Sequence, residues 1–306
     1  MGRANHRLSE QPDDRPPVGD ILRSAVTLGR AALLPMALLA GAALAQAAGS
    51  AFAMTAGIGL FIAGLPHGAF ASDGRFLIAE RGYILRYLIA GVGVGTAFIV
   101  MPVAMLGVFL ALSAWHFARE PAGGRWTRRA AIAGLAIGGS ALLRPGETAQ
   151  IFAALCGSPV PATMMIALAL VGAAGYALAA AALVRKPGDA ALWVMAASPA
   201  LFHPVLATGL VFMLGHAGPA TAAIMRRSGR SWWLWPALAG SSALLAAAAS
   251  VFDPPADLLP LFAAGALAVV MPHLLPHAWF AERSPSGSSR PQPPVHKTQA
   301  ATSPAT

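Results

Sequence analysis

Residues 87–118 read YLIAGVGVGTAFIVMPVAMLGVFLALSAWHFA, without a single Asp, Glu, Lys or Arg. A helix that spans a bilayer needs about 20 mainly apolar residues, within a range of roughly 17 to 25, so this stretch holds two crossings. Charge-free stretches of the same kind run over 31–72, 148–184, 190–225, 231–252 and 258–281, and a shorter one covers 130–143. The first three of these hold up to two crossings each, the last two long ones hold one each, and 130–143 suits a tilted or partial crossing. The expected fold is all-α, a polytopic integral membrane helical bundle of eight to ten transmembrane helices. The expected crossings lie near 31–48, 51–67, 84–101, 102–118, 130–143, 160–184, 190–202, 204–220, 233–250 and 258–280.

The rest of the composition agrees. Of 306 residues, 57% are hydrophobic and 11% charged, against roughly 25% charged in an ordinary soluble domain. A mean hydropathy of +0.63 excludes a soluble enzyme. The net charge of +9 would suggest nucleic acid in a soluble protein. Here the arginines sit in short loops between apolar stretches, where positive charge sets orientation, and no nucleic-acid partner is expected. Counted over alternate loops, twenty of the twenty-one Lys and Arg residues fall on one side, and Arg144 alone on the other. The positive-inside rule makes the basic side cytoplasmic. The expectation is a multi-pass protein of the inner (plasma) membrane with both termini in the cytoplasm.

Residues 1–20 and 284–306 are polar and lack apolar periodicity, so they read as disordered tails flanking a transmembrane catalytic domain over 21–283. Cys156 is the only cysteine, which leaves no intrachain disulfide, no CxxC knuckle and no haem attachment motif. The series Gly91-Val-Gly93-Val-Gly95 reads as close helix packing, because no strand precedes it to make a nucleotide loop.

Eight histidines occur, and His6 and His296 lie in the tails. His67, His116, His216 and His273 each sit near the end of an even-numbered crossing, with the next basic residue eight, three, ten and ten positions on. They therefore lie toward one membrane face, where bundle packing can gather four imidazoles around one ion. A single histidine at a helix end is most simply an interfacial hydrogen-bonding group; four on the same ends of alternate helices make a candidate metal site. The long apolar stretches carry no carboxylate, so an Asp/Glu proton relay or a Glu-rich di-iron centre has no machinery. Neutral imidazoles suit Fe, Cu or Zn, and four of them leave positions open on an octahedral iron.

His203 precedes His216 by thirteen residues, about 20 Å along a continuous helix, and belongs to the opposite face. His277 stands four after His273, beyond Pro276, as a fifth ligand or an interfacial residue. Asp73 and Glu120 either orient ligands or are solvated loop charges. Phe70, Trp115, Phe117, Phe212, Trp279 and Phe280 line an apolar pocket or form an interfacial belt.

The segments Gly64-Leu-Pro-His67-Gly-Ala, Ser113-Ala-Trp-His116-Phe, Phe212-Met-Leu-Gly-His216 and Met271-Pro-His273-Leu-Leu resemble the four histidine-bearing motifs of the Brp/Blh family. This is the bacterial and archaeal membrane family of beta-carotene 15,15'-dioxygenases. In order and spacing the likeness covers most of the chain between about residues 50 and 282. It implies an Fe(2+)-dependent enzyme that uses O2 to cut a carotenoid at its central double bond, giving retinal, with a retinal-binding rhodopsin as a downstream partner. Carried over by motif, the ligands are His67, His116, His216 and His273. The chain departs from the family pattern at Ala71 and Ala220, where an acid and a second histidine are usual, and in the run His116-Phe-Ala-Arg-Glu120. Two other readings stand beside this one: a diverged member acting on another carotenoid, and a non-catalytic membrane transporter or assembly protein.

Overall fold

The computed structural model describes residues 18–64, 82–119, 124–228 and 259–274. These form α1 (Val18–Ala47), α2 (Ser50–Gly64), α3 (Tyr83–Val100), α4 (Pro102–Arg119) and α5 (Trp126–Gly134). A π-helical segment (Leu135–Gly139) joins α5 to α6 (Ser140–Leu143), and α7 (Pro145–Cys156), α8 (Ala162–Arg185), α9 (Ala190–Leu201) and α10 (Pro204–Phe212) follow. A second π segment (Met213–Ala217) leads into α11 (Gly218–Ser228), and α12 spans Leu259–Leu274. No strand occurs among the described residues. Four helical stretches are long and apolar enough to cross a membrane: Tyr83–Val100, Pro102–Arg119, Ala162–Arg185 and Pro204–Ile224.

Nine of the ten expected crossings coincide with helix, and the tenth, 233–250, lies outside the described residues. The expected C-terminal tail also lies outside them, as does the N-terminal one except for its last residues, which already belong to α1. The structure adds one helix to the expectation, α7. Pro145 stands at its first turn, where a missing N–H costs nothing, and Gly157 ends it at φ +64°. At twelve residues it is too short to cross a bilayer, and it packs against α12 and α6.

Backbone contacts fix the helix directions. A methyl added at Gly57 would fall 2.6 Å from the Val205 carbonyl carbon, and one at Gly64 would fall 2.1 Å from Phe212 Cε1. As α2 advances, its partners on α10 advance too, so the two helices run parallel. On α3 the order reverses: Gly91 meets the Ala268 carbonyl oxygen of α12, Gly95 meets Ala264, and the Tyr87 hydroxyl donates to Val269 O. These helices are antiparallel. Pro272 cannot donate to Ala268 O, and that freed carbonyl is the one against which Gly91 lies. Gly93, on the other side of α3, has open space.

A second small-residue crossing joins α5, the first π segment and α8. Methyl groups at Gly134, Gly138, Gly172 or Gly175 would each fall within 2.1–2.7 Å of the facing backbone. Such contacts suit bundles whose helices gain little from hydrophobic burial against one another. Outward faces stay apolar, as on α3, where Leu88, Val92 and Ile99 are exposed.

Candidate metal centre

The buried stripe of α4 is Leu106, Leu110 and Ser113, at i, i+4 and i+7. The next turn of that helix brings Phe117 and His116 to the bundle interior. His216 arrives from the π segment after α10, where the Gly218 N–H donates to Met213 O, five residues back. A π turn inserts a residue into the helical repeat and re-aims the side chains it carries, commonly at functional sites. Glycine is required beside it: a methyl at Gly215 would fall 2.4 Å from Ile132 Cγ2. His216 is 2% exposed.

The two imidazoles meet edge to face, with ring centres 4.8 Å apart. With metal–nitrogen bonds of about 2.1 Å and ring centres roughly 1.2 Å behind the nitrogens, two imidazoles at right angles on one metal have centres roughly 4.7 Å apart. The spacing accommodates a shared metal, and equally an ordinary edge-to-face ring contact. Phe117 packs on His216 at 4.6 Å and Phe212 at 5.7 Å between ring centres. Phe61 of α2 extends the cluster to Phe212 at 5.4 Å.

Of the other two motifs the structure describes Gly64 and the backbone of 271–274. Gly64, three residues before His67, lies against Phe212 and Ala217. The end of α12 that carries His273 lies beside the start of α3, because those helices are antiparallel. The sharp turn at Met101 between α3 and α4 returns the end of α4, with His116, to that level. His203 caps the start of α10, a helix away from His216, as expected. His67, His277, Asp73, Glu120, Phe70, Trp279 and Phe280 lie outside the described residues. Among the described residues no group of three or more His, Cys, Asp or Glu converges; His116 and His216 are the two brought together.

The shell of this end is basic and tied down by polar contacts. The Arg119 guanidinium lies 5.0 Å from the Trp115 ring centre, and Arg129 donates to the Arg119 carbonyl at 3.2 Å, supplying a donor to a carbonyl the end of α4 leaves without a helical partner. Trp115 is 43% exposed, which places it at the rim and not in a pocket. Arg128 pairs with Asp189 at 2.7 Å, and the Leu192 N–H donates to the same carboxylate at the start of α9. Burial alone would raise the Asp189 carboxyl, but the hydrogen bond and charge of Arg128, the Leu192 N–H and Lys186 hold it below its ordinary range.

Phe61 and the π turn escape the sequence reading. Their signals are present in hindsight: Phe61 stands one turn before Gly64, and His216 is bracketed by Gly215 and Gly218.

Compared with known protein families, residues 58–281 match the family described as beta-carotene 15,15'-dioxygenase. The match takes in well over half of the chain and all four histidine-bearing motifs. No curated protein and no solved structure matches it.

Proposed function

The chain belongs to the beta-carotene 15,15'-dioxygenase family, and from that premise we propose that it is a membrane-embedded non-haem iron enzyme. It cleaves beta-carotene, or a related carotenoid, at the central double bond: the C=C bond and both atoms of O2 become the two aldehyde groups of two retinal molecules. The observation that carries the reading is the His116–His216 pair at 4.8 Å, walled by Phe117 and Phe212. Gly64, three residues before His67 in the sequence, meets Phe212 and Ala217, and the end of α12 that carries His273 lies beside the start of α3, which supports the reading.

His67, His116, His216 and His273 would hold the ferrous ion. When bound, it supplies the redox activation that a ground-state triplet dioxygen needs to react with a closed-shell polyene, which Zn, lacking redox chemistry, does not. The side chains do the rest. Imidazoles on separate helices keep the centre off any one flexible loop, and Phe117 and Phe212 keep water from the pair. A polyene offers no hydrogen-bonding handle, so apolar walls must position it by shape.

The basic residues at this end, from Arg119 to Arg129 and at Arg185 and Lys186, make it the cytoplasmic face of the inner membrane. Both termini then lie in the cytoplasm, and retinal leaves toward a retinal-binding rhodopsin in the same bilayer. The test is expression in carotene-accumulating cells. Wild-type protein bleaches them, yields retinal and carries iron stoichiometric with the chain, while His116→Ala and His216→Ala lose both iron and product. Persistent colour with correctly inserted wild-type protein overturns the reading.

A further inference from the structure

We propose that Phe117 is a positioning residue for His216, fixing the orientation of its ring beside His116; this rests on the metal-site reading above. α4 contributes two adjacent side chains with different partners on the same imidazole. His116 presents the edge-to-face contact at 4.8 Å, and Phe117 lies over His216 at 4.6 Å with the planes inclined 37°. Phe212, one turn before His216 on its own helix, contacts the ring at 5.7 Å and 38°. Phe117 and Phe212 also touch each other, at 5.9 Å. The His216 ring thus touches two aromatic rings, themselves in contact, and an imidazole, with 2% of the residue exposed.

An imidazole needs its ring orientation fixed to serve as a ligand. Metal-bound histidines usually obtain it from a hydrogen bond on the second nitrogen, and losing such outer support typically costs 10–100-fold in affinity. Here flat rings add a constraint of their own, through contact with the imidazole. They restrict rotation about the side-chain bonds of His216. Phe117 also packs against the neighbouring core cluster to which Ile132 and Met195 belong. Leucine keeps that apolar contact and removes the planar face.

The experiment uses full-length protein in lipid nanodiscs, stripped of metal with a chelator and titrated with Co2+, whose visible ligand-field bands report coordination geometry. Phe117→Leu is expected to bind Co2+ about tenfold more weakly than wild type and to change the band pattern, and Phe117→Tyr, which restores a flat ring, to recover both. Phe61→Leu removes an aromatic contact to Phe212 without touching His216, and is expected to keep wild-type affinity and bands. Should Phe117→Leu not insert, Phe117→Met takes its place with the same expectation. Wild-type affinity and bands in the non-aromatic variant, or an equal loss in Phe61→Leu, overturn the positioning role. Wild-type protein that takes up no Co2+ overturns the metal site itself, a distinguishable failure.

Discussion

Gly64→Ala tests whether the first histidine motif and the His216 turn share one packed unit. The added methyl would fall 2.1 Å from Phe212 Cε1, 2.8 Å from its Cζ and 2.9 Å from Ala217 Cβ. Carbon atoms in contact sit about 3.5–4.0 Å apart, so the ring must retreat by about 1.4 Å or more. It has little room to do so, with ring centres of Phe61, His216 and Phe117 at 5.4, 5.7 and 5.9 Å. Nor can α2 and α10 slide closer elsewhere to compensate, because they already touch backbone to backbone at Gly57. Overpacking of this kind costs about 1–3 kcal/mol, and the displaced Phe212 carries the disturbance to His216. The expected result is a loss of stability of that size in denaturant unfolding, with reduced iron content. Phe212→Leu in the same chain should recover part of both losses, giving a coupling in a double-mutant cycle. Wild-type stability and iron in Gly64→Ala, or strictly additive losses in the pair, would refute the reasoning.

Three further outcomes are expected. Gly91→Ala, whose methyl would meet Ala268 O at 2.6 Å, should cost about 1–3 kcal/mol; Gly93→Ala, facing open space, should be neutral or stabilising by up to about 1 kcal/mol through helix propensity. The Arg128–Asp189 contact lowers the folded-state Asp189 pKa. Its contribution is therefore full above the ordinary carboxylate value of about 3.9 and is lost as pH falls through the lowered value. Asp189→Ala should cost about 1 kcal/mol at neutral pH, as for other helix caps, and reduce the loss of stability seen on acidification in unfolding midpoints. His203→Ala, at the far end of α10, should keep wild-type iron content, which metal analysis beside His216→Ala checks; equal loss in both would contradict the assigned ends.

The spans are legible because charge is excluded from them, so gaps between charged residues mark nine crossings that coincide with helix among the described residues. Helix neighbours are less legible. A helix apolar all round has no preferred face for periodicity to reveal, and only small residues mark contacts. The Gly91–Gly95 series shows both sides of this: it does signal packing, yet nothing in its spacing says that Gly91 and Gly95 face α12 while Gly93 faces outward. The end shared by His116 and His216 follows from counting crossings, but their ring-to-ring contact depends on a π turn that adds one residue to an otherwise uniform apolar run. α7 hides for a related reason. Its Thr148-to-Cys156 portion lies in the same charge-free stretch as the crossing after it, and Pro145 and Gly157 delimit it.

The parallel pairing of α2 with α10 and the antiparallel pairing of α3 with α12 govern the order in which the molecule can be made. Tyr87 finds its acceptor 182 positions later, and the Gln46 side chain meets the His203 amide 157 positions later. A ribosome releases α2 and α3 long before it has synthesised the helices against which their glycines rest. Until then those glycines mark bare grooves, and the early helices must be held by lipid, by each other or by the insertion machinery. Assembly of this chain is thus a closing of its first third by its last, with the histidine pair completed only after α10 has been released.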